Sequence, residues 1–87
     1  MTIFILDGNK MTTKESAFEH IKKTCLFHDY FGNNLDALND ALSEMSKDAI
    51  IILMNRDALL EALGDYGFTM LEVFRENSIG SYAFVEK

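Results

Sequence analysis

The chain has 87 residues, with 14 Asp and Glu against 8 Lys and Arg, a formal net charge of −6 when both histidines are neutral. That sign argues against sequence-independent binding to DNA or RNA, which needs clustered Lys and Arg, and favours a basic partner. Hydrophobic residues at 48% and charged ones at 25% exclude a disordered composition. The length predicts one small domain over residues 1–87, burying roughly 60 to 65% of its unfolded surface.

The first element is "TIFIL", residues 2 to 6. It has no basic leader and is too short for a signal core, and no segment approaches the ~20 apolar residues of a membrane span, so a cytoplasmic protein without membrane contact is expected. Like "AIIILM" (49 to 54), it is a continuous run rich in β-branched residues, the pattern of a strand covered on both faces. Thr12 with Glu15 reads as a capping box opening a helix over about residues 13 to 26, whose Ala17, Phe18, Ile21 and Cys25 recur at helical spacing. Cys25 is the sole cysteine. It has no internal disulfide partner, and its place on the apolar stripe reads as a buried, inert thiol.

After a turn at Gly32, Asn33 or Asn34 caps a second helix with Leu35, Leu38, Leu42 and Met45 as its buried stripe. Beyond the second strand, Asn55 or Asp57 caps a short helix with Leu59, Leu60 and Leu63, ended by Gly64. Thr69 with Glu72 reads as the box opening a fourth helix, with Met70, Leu71, Val73 and Phe74 inward and Gly80 beyond its end. "SYAFVE" (81 to 86) alternates, as an edge strand does. The order is β-α-α-β-α-α-β. Connections of this length predict an α/β fold, a three-stranded parallel sheet with about four helices and right-handed crossovers.

The second helix carries the chemistry. At about 100° per residue, Asp36, Asp40 and Ser43 share one side, flanked by Asn39 and Glu44 and roughly opposite the leucines. Asp36 suits the positive end of the helix dipole, whereas Asp40 and Glu44 are like charges one turn apart and cost helix stability. No Lys or Arg occurs from Thr24 to Ser46. Two readings follow: a solvated face, or a docking surface for cations. Consistent sign, missing neutralising partners and the adjoining pair Tyr30 and Phe31 favour the second.

"YFGNNLDALNDALSE" (30 to 44) closely resembles the signature of barstar-type ribonuclease inhibitors: an aromatic pair, glycine, asparagine and "LDAL", then an acidic residue one position further on. The likeness runs along almost the whole chain, through the opening strand ending in Asp7 and Gly8, the element order and "VFRE" (73 to 76). It implies a barstar-like fold and an inhibitor, not an enzyme, that covers the active site of a basic, barnase-type extracellular ribonuclease. By resemblance, Asp40 is the acidic residue inserted among the groups that hold the substrate phosphate. Asp36 is a second contact on the same helix, and Glu76 a third from the last helix. Tyr30 packs against the catalytic region, Gly32 and Asn34 belong to the contacting loop, and Ser43 replaces a small hydroxyl residue. The chain departs from the pattern at Asn39 and Met45, where barstar has tryptophan, and at Glu44, where it has glycine. The implied docking surface, with Asn39 and Glu44 in it, is less aromatic and more acidic.

Two rivals use the same residues. An immunity protein or antitoxin against another basic toxin or nuclease domain would work by the same mechanism. A carboxylate enzyme would hold Mg²⁺ or Mn²⁺ on Asp36, Asp40 and Glu44, but these lie in a row along one helix, and the sequence has no Gly-rich phosphate loop and no Cys/His set. No cofactor or metal is expected. The partner is expected to be protein rather than nucleic acid, bound 1:1 by a chain that is monomeric when free. His20, among Glu19, Lys22 and Lys23, reads as a surface residue, and His28, just before the signature, as one that tunes the acidic face at low pH.

Overall fold

A computed structural model describes residues 1–28 and 31–87 of the chain. Three strands, β1 (Thr2–Asp7), β2 (Ala49–Met54) and β3 (Ala83–Glu86), form one parallel sheet with β2 in the centre. Between β1 and β2 lie a short 3₁₀ turn (Gly8–Lys10), α1 (Lys14–Thr24) and α2 (Leu35–Ser43); α3 (Arg56–Leu63) and α4 (Asp65–Ser78) join β2 to β3. The α/β fold in the order β-α-α-β-α-α-β is as the sequence predicts.

One sheet expectation fails. The helices cover a single face: Leu6, Ala49, Ile51 and Leu53 are buried with Phe18, Ile21, Leu38, Leu42, Leu59, Met70, Leu71 and Phe74, while Ile3 and Ile5 remain 50% and 57% exposed on the other side. β1 is thus an edge strand covered once. A continuous apolar run cannot distinguish that from double burial, because the run shows no alternation to read.

The helix ends are set by local chemistry. The α1 cap is one residue beyond the expected one: Thr13 Oγ1 accepts the Ser16 N–H at 3.0 Å and Ser16 Oγ accepts the Thr13 N–H at 3.1 Å. A serine closes this box as glutamate would, so Thr12 and Glu15 are not used. Asn34 is the α2 cap, its Oδ1 accepting the Ala37 N–H at 2.8 Å. Asn55 stands at the start of α3 in the left-handed conformation and makes no side-chain cap bond; its Nδ2 instead donates to Asp7 Oδ1 at 2.9 Å, tying the ends of β1 and β2 together. Helix α4 begins at Asp65, four residues before the expected box. Gly64, at φ 56 and ψ −129, ends α3 and opens α4 in a single turn that residues with a Cβ avoid. Thr69 therefore lies inside α4, and its hydroxyl donates to the Asp65 carbonyl at 3.0 Å.

Two features beyond the predicted stripes lock the last strand. Tyr82, 1% exposed, donates its hydroxyl to the Phe74 carbonyl at 2.6 Å, and Phe84 stacks on Phe74 with ring centroids 5.2 Å apart. Burial holds the Tyr82 phenol well above its ordinary pKa. Glu86 takes a forked pair from Arg75, Nε at 2.7 Å and Nη2 at 2.6 Å, and Arg56 Nη1 adds a third contact at 3.4 Å. The Arg75 hydrogen bonds are the main reason the Glu86 carboxyl lies below its ordinary range. Cys25 is buried at the end of α1, its thiol pushed up to about 12 by burial. Among the described residues no helix is long and apolar enough to cross a membrane.

His20 is not the surface residue its neighbours suggest. Its Nε2 accepts the Asp7 backbone N–H at 2.9 Å, and Nδ1 faces Thr24 Oγ1 at 3.4 Å. The end of β1 has an amide with no strand neighbour, and the histidine supplies the acceptor. Burial, helped by Lys10 and opposed by Asp7, lowers the His20 pKa. The unfolded chain therefore takes up this proton first as pH falls, so the contribution is present above about pH 6.5 and is lost as pH falls through the folded-state value. Denaturant midpoints at pH 7.5 and 5.5 should fall on acidification for the native chain and fall less for His20→Gln, whose amide oxygen keeps the acceptor; equal losses would remove His20 as the cause.

Candidate functional site

Helix α2 turns its apolar side down and its acidic side out. Leu38 and Leu42 are fully buried, with Leu35 and Met45 packed against the same core, while Asp36, Asn39, Asp40, Ser43 and Glu44 are all exposed. The helix is therefore fixed by its leucines, and the carboxylates stand on a rigid element rather than a loop. Asp36 lies in the first turn, where the helix dipole favours an anion, and the last turn has no basic residue. Ser43 Oγ donates back to the Asp40 carbonyl at 2.6 Å.

The two flanks of this face differ. On one side, Asn77 Nδ2 of α4 donates to Asn39 Oδ1 at 2.8 Å, which links the helices; Glu76, the residue before Asn77, is exposed on α4. On the other, an open groove of about 560 Å³ runs between the end of α1 and α2. Gly32 and Asn34, both exposed, lead into the helix, with the Asn34 side chain engaged as the cap. Tyr30, expected at the same surface, lies outside the described residues.

Charge completes the picture. Among the described residues, ion pairs occupy Asp48, Asp57 and Glu86, and none involves Asp36, Asp40, Glu44 or Glu76. Among the described residues, these four carboxylates face solvent without an ion-pair partner. In a chain with 8 Lys and Arg, neutralising partners are available and are placed elsewhere.

Comparison with known proteins fits this geometry. The sequence pattern of the family described as "Barstar (barnase inhibitor)" matches residues 1–82. The chain belongs to the barstar family. A Bacillus subtilis (strain 168) protein named "Putative ribonuclease inhibitor YrdF" is 34% identical over 77 residues, 87% of this chain and 85% of the relative. Barstar-family proteins are inhibitors and not enzymes, so Asp36, Asp40 and Glu44 are not a catalytic metal set. Asp36 and Asp40 lie one turn apart on α2, and Glu44 is its C-cap.

Of the residues singled out from sequence, the structure brings Asp36, Asn39, Asp40, Ser43 and Glu44 onto one face, with Gly32 and Asn34 at its start, while Glu76 is exposed on α4. Asn77 and Arg75 gave no separate signal. "VFRE" nonetheless contains both a structural residue, Arg75 clamped on Glu86, and an exposed one, Glu76.

Proposed function

We propose that the chain inhibits a basic, barnase-type ribonuclease in a 1:1 complex, laying α2 and its preceding loop over the cationic active site. Asp40 enters the phosphate-binding pocket, Asp36 and Glu76 meet flanking cations, and Tyr30, Gly32, Asn34, Asn39, Ser43 and Glu44 complete the contact. The observation that carries this reading is the exposed, unpaired carboxylate row on a rigid helix. A ribonuclease must be cationic where it stabilises a phosphoryl transition state, and carboxylates held in place satisfy the same donors by charge-assisted hydrogen bonds without offering a bond to cleave. The name given to the Bacillus subtilis relative supports the same target class. The free chain is a monomer acting as one unit over residues 1–87 in the cytoplasm, where it neutralises the enzyme before secretion.

Opposite charge also governs the encounter. An inhibitor of net charge −6 is drawn to a basic enzyme, so association is fast at low ionic strength and slows as salt screens the attraction. Titrating the chain into a barnase-type ribonuclease, with RNA cleavage and heat of binding followed at low and moderate salt, is expected to give stoichiometric inhibition with a salt-sensitive association rate. No inhibition by the folded chain would sink the barnase-type target. Asn39, bonded to Asn77 where barstar has tryptophan, favours one second reading: the same carboxylates facing another basic nuclease toxin of different shape.

A further inference from the structure

The groove beside α2 has a composition unlike the rest of the acidic face. Its walls include Phe27, Phe31, Ala41 and Met45, and its lip carries Asp40 and Glu44; no Lys or Arg lines it among the described residues. Phe27 and Phe31 are half-buried and packed on each other, with ring centroids 5.3 Å apart. At 3.6 residues per turn, Ala41 and the C-cap residue Glu44 fall on the flank of α2 away from Asn39 and α4, and Met45 follows just beyond the helix end. The groove is thus a second side of the surface, continuous with it through Gly32, Asp40 and Glu44.

We infer that this groove is a subsite for an arginine side chain of the partner nuclease, which makes it a determinant of which ribonuclease is bound; the partner's identity as a nuclease rests on the function proposed above. Charge complementarity selects the occupant. A purely apolar side chain would strip water from Asp40 and Glu44 and return no hydrogen bond, and an acidic one would be repelled. A cation with an apolar stem satisfies both parts. Arginine fits better than lysine because its planar guanidinium stacks on an aromatic ring while its fork spans two acceptors, and the two carboxylates sit one helical turn apart, about 5–6 Å between Cβ atoms. Lysine is a compact, strongly hydrated point charge that matches neither the ring nor the pair. The volume of about 560 Å³ lies within the range of small-molecule pockets, which leaves room for the stem along Met45. Glu44 and Met45 are also positions where the chain departs from the barstar signature, so this groove is where its partner choice would depart as well.

The test uses the free chain. Isotope-labelled protein at pH 7.5 and low salt is titrated with N-acetyl-arginine methylamide and, separately, the lysine analogue, and backbone amide shifts are followed by NMR. Saturable shifts at Phe31, Ala41, Glu44 and Met45 are expected, with arginine at least about threefold tighter than lysine. Glu44→Gln, an isosteric change at an exposed position, should weaken arginine about three- to tenfold and leave the rest of the spectrum in place. Shifts scattered over the acidic face, equal response to lysine, or an unchanged affinity in Glu44→Gln would overturn the subsite. The outcome is independent of inhibition. Arginine in the groove with no barnase-type enzyme inhibited supports the subsite and counts against that target, while inhibition without arginine selectivity overturns the subsite alone.

Discussion

Replacing Asp40 with alanine is expected to weaken inhibition of a barnase-type ribonuclease by roughly 30-fold to several thousand-fold, a loss of about 2–5 kcal/mol of binding. The size follows from what the partner loses. Cationic groups in a ribonuclease active site are dry once α2 covers them, and removing their carboxylate leaves them buried and unpaired, which costs more than the contact alone was worth. Asp36 and Glu76, toward the margins, keep more water and should each cost less. The fold gives no competing explanation for a loss at Asp40. Its side chain is exposed and makes no ion pair among the described residues, and its removal relieves the like-charge pair with Glu44, worth about 0.2–0.5 kcal/mol in favour of the helix. Thermal midpoints of native and variant chains should therefore agree within a few degrees. Lys14→Ala is the control: Lys14 lies over the Tyr66 ring at 4.2 Å, so it should lose up to about 1 kcal/mol of stability with no change in inhibition. Equal inhibition losses in the two variants would move the contact surface off α2.

What sequence could show here depended on whether the determinant was periodic. The α2 face was legible because both of its halves repeat at helical spacing, leucines inward and carboxylates outward, and because Asn34 caps through its own side chain three residues on. The parallel sheet was legible from the length of its connections. The sheet's open face was not, since Ile3 and Ile5 look the same in a run whether or not a helix lies over them. The early start of α4 is hidden because a glycine after an apolar helical stripe signals a stop, and Gly64 is both stop and start. Contacts between distant residues carry no local spacing at all: Asn39 to Asn77, His20 to the Asp7 amide, and Tyr82 to the Phe74 carbonyl are each set by packing of the finished fold. Asp7 and Gly8 are an intermediate case, marked in the sequence as part of the family likeness but explained only by what they touch.

Gly8→Ala is the stability counterpart of the Asp40 prediction, and its cost should reach about 4 kcal/mol or more. Gly8 is buried just after β1, and a Cβ there would lie 2.0 Å from the Asn55 carbonyl oxygen and 2.9 Å from its carbon. The obstacle is backbone, not a side chain that can swing aside. Asn55 is itself pinned on three sides: its Nδ2 to Asp7, its carbonyl accepting the Ala58 N–H at 3.1 Å, and the next amide, Arg56 N–H, donating to the Lys87 carbonyl at 3.0 Å. Making room for a methyl group would thus displace the end of β2 and the first turn of α3 together. Against a total stability of about 5–15 kcal/mol for a chain of this kind, the expected fall in Tm is roughly 15 °C or more. Gly80→Ala separates this clash from the general loss of glycine: at φ 74 with nothing within 4 Å, it should cost only about 1–2 kcal/mol of backbone strain. A Gly8→Ala chain melting within a few degrees of Gly80→Ala would show that the two backbones can part, and the close approach would cease to explain the glycine. The two large predictions also read in opposite directions. Gly8→Ala should lose inhibition only to the extent that it unfolds, recovering it where native chain remains, whereas Asp40→Ala should stay folded and lose inhibition outright, because the support of α2 and the charge it carries are set by different residues.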